Sequence, residues 1–268
     1  MSPEAAPDLL PALAALLEAA RAQLWAAFVV FARVGAMMAL LPAFGEQSVP
    51  ARVRLGLGLA FTLVVLPAVG GALPPAPARP EAALGLLLAE VAAGLVMGVV
   101  LRLFVLALQT AGAIAAQATS LSQLFGGGPG AEPSPAVTHL LVTGGLALAA
   151  LLGLHVQLAA YMIEGYGLIP PGAVVEPGML LEAGVGEVGR SFALAFSLSA
   201  PFVIASLLYN VTLGVINRAM PPLMVTLIGA PALTAGGLLL MVATGPAILG
   251  LWADALGAFM ADPFGAPP

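Results

Sequence analysis

Between Arg218 and Asp254 the chain runs for 35 residues without one charged side chain. A water-facing element of that length needs a polar face, and this stretch has none. A membrane-spanning helix needs about 20 predominantly apolar residues, so the run is long enough for a crossing. Over all 268 residues only 8% are charged, and lysine is absent, so the eight cations are all arginines. An ordinary soluble domain carries roughly a quarter charged residues. The composition therefore places the chain in a bilayer.

Six apolar segments are predicted as helices, at residues 24–41, 55–73, 82–108, 136–163, 192–215 and 223–251. A transmembrane barrel would read as short alternating strands, whereas these runs are long and apolar on every face. The fold class expected is all-α and integral to the membrane, with about six hydrophobic helices forming hairpins between proline and glycine breaks. The chain reads as one membrane-inserted helical domain, residues 1–268. Residues 1–23 form a polar lead-in, in which Glu18 and Arg21 are spaced for an i, i+3 pair, and 252–268 form a tail. The lead-in lacks the basic start of a cleaved signal.

Proline and glycine mark the connections at 42–50, 74–80 and 126–135. The longest is expected at 165–189, with Glu176, Glu182 and Glu187. Pro201, Pro221, Pro222, Pro231 and Pro246 are expected to break the C-terminal third. Arginine counts near the loops, four against three, favour an outside N-terminus by one residue.

Several function classes are excluded. A net charge of −5 provides no basic footprint for nucleic acid. The absence of cysteine removes thiolate chemistry, and His139 and His155 are not at metal-ligand spacing. No nucleotide-binding or hydrolase motif occurs. The expectation is a non-enzymatic protein without metal or cofactor.

What remains lies inside the apolar segments. Arg33 and Glu90 are charges at membrane depth, where each costs several kcal/mol on insertion scales. They face a polar pathway, contact a subunit, pair within the chain, or in the arginine's case snorkel. Gly94 and Gly98 form a GxxxG suited to close helix approach, and Gly112, Ala116 and Ser120 continue the small-residue stripe. Trp25 and Trp252 suit packing or an aromatic belt. Residues 117–130, QATSLSQLFGGGPG, are too polar for an ordinary span and too apolar for an ordinary loop. Irregular backbone at membrane depth must be buried or line a cavity. Gln117 opens this stretch. Leu121, Leu124 and Phe125, with Gly126, Gly127 and Gly128 as a hinge, could close a pore by dewetting.

Three stretches in order carry a family resemblance. The first holds Arg33, Pro42-Ala43-Phe44-Gly45, Pro50, Arg52, Arg54, Gly56, Gly58 and Pro67. The second holds Glu90, Gly94, Gly98, Arg102, Gly112 and Gln117. The third holds Ala200-Pro201, Asn210, Leu213-Gly214, Asn217-Arg218-Ala219-Met220-Pro221 and Gly229-Ala230-Pro231. Together they resemble the FliR family of flagellar biosynthetic proteins, with the spacing intact from about residue 25 to 245.

The resemblance implies a subunit of a type III export gate in the bacterial inner membrane, at the flagellar basal body. FliP and FliQ would be partners in a channel, with FlhB and FlhA nearby and secreted flagellar subunits as cargo. It implies a FliP-like part joined to a FliQ-like part, a gate raised from the bilayer plane, and a plug loop at 118–135. Pro42, Pro50, Arg54, Gly94, Gly98, Gly112, Gly214, Arg218 and Pro221 would serve packing and assembly. The pattern departs from the family where a common Asp-Pro is absent and Glu132-Pro133 stands nearby, at Pro222, where Gln is usual, and near Thr234, where a frequent Lys is absent. Arg218-Ala219-Met220-Pro221 favours a flagellar over an injectisome member. A small-molecule transporter using Arg33 or Glu90 is the alternative from another class, although the two halves show no inverted repeat.

Overall fold

A computed structural model describes residues 6–46, 49–119, 136–174, 176–219 and 225–263. Among them there are seven α-helices and no strand: α1 Ala6–Met38, α2 Ala51–Val69, α3 Pro80–Ala118, α4 Ala136–Leu151, α5 Leu154–Leu168, α6 Pro177–Ala219 and α7 Val225–Ala261. Five are long and apolar enough to cross a membrane, and the pair α4–α5 would add a sixth crossing. The protein is all-α and membrane-embedded.

The helices exceed the predicted segments at several ends. The lead-in is continuous with the first span in α1, and its Glu18–Arg21 pair forms at 3.8 Å. The long connection expected at 165–189 shrinks, because α6 begins at Pro177. Proline is favoured at a first helical position, and the Glu187–Arg190 pair, 2.6 Å apart at i, i+3, supports the turn. Charge there marks an exposed helical turn, not a loop. The expected proline breaks at Pro201, Pro231 and Pro246 do not occur; all three lie inside continuous helices, while Pro221 and Pro222 lie outside the described residues. Neighbouring groups and side-chain hydroxyls can re-satisfy a freed carbonyl in apolar surroundings.

The fourth predicted span is not one helix but breaks between α4 and α5. Gly153 sits at the break with φ +83°, a left-handed conformation that a side chain would strain.

The chain folds as two compact units, residues 1–101 with 155–180, and residues 102–154 with 181–268. In the first, α1 and α2 pack as a hairpin. Its core collects Val30, Val34, Met37, Leu41, Ala93, Met97 and Tyr161. In the second, α4 packs on α7, around Leu108, Leu141, Phe202, Ile248 and Trp252.

Candidate functional site

Glu90, Gly94 and Gly98 follow each other at i, i+4 and i+8 on α3, so they share one face. In the first unit that face meets α1. A Cβ added at Gly94 would collide with the Arg33 carbonyl and the Ala36 methyl; one at Gly98 would lie 3.1 Å from Leu40 Cβ and 3.2 Å from the Met37 carbonyl. The GxxxG thus lets two backbones nearly touch, and this approach brings Arg33 of α1 level with Glu90 of α3.

The two charges are fully buried and bind each other twice. Arg33 Nε donates to Glu90 Oε2 at 2.8 Å, and Arg33 Nη2 donates to Glu90 Oε1 at 3.1 Å. Parallel N–H···O bonds of this kind are the strong geometry for an arginine–carboxylate pair. The remaining capacity goes to backbone. Arg33 Nη1 donates to the Ile169 carbonyl at 2.9 Å and to the Gly165 carbonyl at 3.4 Å. Both oxygens lie at the C-terminal end of α5, where the helix dipole favours a cation; the Gly165 carbonyl also accepts the Ile169 N–H at 2.9 Å, and the Ile169 carbonyl lies just beyond the last helical turn.

Glu90 Oε1 in turn accepts the Gly172 N–H at 2.8 Å. Gly172 has φ +75°, which turns that N–H toward the carboxylate. The Tyr166 ring lies under the guanidinium, 3.8 Å from its carbon, an arrangement worth about 2 kcal/mol when desolvated. One ion pair therefore joins α1, α3 and the end of α5. Of the possibilities open to Arg33 and Glu90 in sequence, the chain adopts the intramolecular pair.

Arg54 performs a smaller version of this task. Its Nη2 donates to the Glu46 carbonyl at 3.0 Å, holding the turn between α1 and α2. Pro42 is buried in that turn, and Pro50 is the exposed residue before α2.

In the second unit, helix approach is set by single glycines. A Cβ at Gly112 would lie 2.6 Å from Thr138 Cα, one at Gly237 2.6 Å from Thr119 Cβ, and one at Gly145 2.5 Å from Leu108 Cδ1 and 3.3 Å from the Trp252 ring. Trp252 is wholly buried, and its Nε1 donates to the Phe104 carbonyl at 2.8 Å. It is a packed residue, not part of an aromatic belt. Thr119, which lies within the segment 118–135, and Thr138, three residues beyond its end, are both buried. Each is pressed against a glycine.

Leu121, Leu124, Phe125, Gly126, Gly127 and Gly128, and likewise Pro221, lie outside the described residues. Gln117 is exposed on the last turn of α3. Gly214 and Arg218 are exposed on α6, and a Cβ at Gly214 would meet nothing within 4 Å. Sequence reasoning missed Tyr166, Gly145 and Gly237. Only the pairing of Gly236 with Gly237 in an apolar run hinted at the last.

The profile of the bacterial export proteins, family 1, matches residues 24–259. The chain is 34% identical over 87% of its length to the flagellar biosynthetic protein FliR of Caulobacter vibrioides, covering 93% of that protein. It is 27% identical to the FliR proteins of Escherichia coli and Bacillus subtilis, over 81% and 80% of its length and 82% and 83% of theirs.

Proposed function

Because the chain belongs to the bacterial export proteins, family 1, we propose that it is a structural and gating subunit of a flagellar type III export gate. In this reading it sits in the bacterial inner membrane and packs with FliP-like and FliQ-like subunits round a protein-conducting channel. FlhB and FlhA lie nearby, and secreted flagellar subunits are the cargo. The names of its relatives favour the flagellar over the injectisome system.

The observation that carries the assembly part is the surface of α6. Leu181, Val185, Val188, Phe192 and Phe196 recur every three or four residues and are all exposed. The uncharged stretch of α6 runs from Ser191 to Asn217, 27 residues. At 1.5 Å per residue it is about 40 Å long, against about 30 Å of bilayer hydrocarbon. Lipid alone does not cover such a helix along its length, and partner helices do. The same surface carries Gly214, whose open face suits close approach by another chain.

A small-molecule transporter would need Arg33 or Glu90 turned toward a solute. Both spend their hydrogen bonds on each other and on backbone. That supports the gate over the transporter.

The gating part assigns residues 118–135 as the plug. Removing 121–125 is expected to leave the assembled complex intact and to raise ion flux across vesicles that contain it. Unchanged flux with intact assembly contradicts the plug assignment.

A further inference from the structure

At the open end of the α1–α2 hairpin lies a groove of about 1290 Å³. It is held in shape by a strut: Trp25 Nε1 donates to the Pro74 carbonyl at 3.3 Å, tying the proline-rich connection after α2 against α1. Its two ends differ in chemistry. At one end Glu18 and Arg21 stand exposed, 3.8 Å apart. At the other, Leu24 and Phe28 of α1 face the groove with Leu66 and Leu73. From Glu18 to Phe28 is ten residues, or about 15 Å along the helix. Arg21 is the last charge on α1 before the uncharged run Ala22–Ala32, so the groove turns from polar to apolar as a membrane boundary does.

We propose that this groove binds one phospholipid whose head carries both a phosphate and a primary ammonium, the phosphatidylethanolamine type. Arg21 meets the phosphate and Glu18 the ammonium. The Glu18 carboxylate also disfavours heads that are only anionic, because like charges repel. The upper acyl chain lies along Leu24 and Phe28, which are 71% and 52% exposed among the described residues. Glu18 and Arg21 precede residue 24, where the family match begins, so the site does not follow from family membership or from the proposed gate.

The test uses the full chain reconstituted with equal amounts of phosphatidylethanolamine and phosphatidylglycerol, extracted mildly and weighed by native mass spectrometry. One phosphatidylethanolamine is expected to remain bound in preference. The double variant Glu18→Gln, Arg21→Gln is expected to lower that preference roughly fivefold, as two exposed charge contacts allow. Both residues are solvent-exposed, and helicity by circular dichroism should be unchanged. Equal retention of the two lipids, or a preference untouched by the double variant, overturns the proposal. So does a photo-crosslinker at position 24 that captures a partner polypeptide instead of lipid in the assembled complex.

Discussion

The first unit buries an arginine and a glutamate, whereas every buried polar side chain among the second unit's described residues is a hydroxyl, of Thr119, Thr138 or Ser199. Both units bring helices together at glycines: Gly94 and Gly98 in the first, Gly112, Gly145 and Gly237 in the second. The first adds an ion pair that ties three segments at once. Hydroxyls in a helix can return their hydrogen to a carbonyl one turn back, as Thr119 does to Ala115 at 2.8 Å. A buried guanidinium has no such local exit and depends on partners distant in sequence. Both units are therefore vulnerable to the gain of one carbon at a glycine, and the first also to the loss of one charge.

The comparison breaks most readily at Glu90. Glu90→Ala leaves Arg33 buried and unpaired and is expected to cost about 3–5 kcal/mol, read as a loss of unfolding stability of the full chain in mild detergent. The double variant Arg33→Met, Glu90→Leu should recover most of that loss, because no charge is then stranded. If the single and double variants are equally unstable, the pair matters for shape and not for charge.

Next in size is Gly112→Ala. Its new Cβ would meet the Thr138 backbone at 2.6 Å, and backbone does not step aside as a flexible side chain does. A loss of about 1–3 kcal/mol is expected in the same measurement. A neutral result would show that α4 can slide on α3.

The smallest effect on the chain itself is expected at Gly214. Gly214→Leu meets open space, so stability of the isolated chain should move by no more than about 0.5 kcal/mol. Recovery of FliP-like and FliQ-like partners should nonetheless fall, since the larger side chain stands off a neighbouring helix. Unchanged recovery removes Gly214 from the assembly surface. It thus separates glycines that pack within the chain from one proposed to pack between chains.

The apolar runs made the helices legible, and the cost of buried charge singled out Arg33 and Glu90. Their pairing was not legible: 57 residues separate them, and a helix apolar on every face has no stripe to say which side meets a neighbour. The GxxxG at Gly94 and Gly98 could be read because its spacing is local. Gly145 and Gly237 could not, because what makes them necessary is Leu108, Trp252 or Thr119 arriving from another helix. The early start of α6 was hidden by Glu182 and Glu187, whose charge suggested a loop. The break at Gly153 was hidden by a continuous apolar pattern on both sides.

The central claim is that this chain is a subunit whose exposed apolar helices are completed by other chains. The most direct measurement is its native mass in mild detergent, expressed alone and with the FliP-like and FliQ-like proteins proposed as its partners. One large heteromeric complex that forms only when both partners are present is the expected result. A monodisperse monomer or homo-oligomer that ignores both partners would contradict the account.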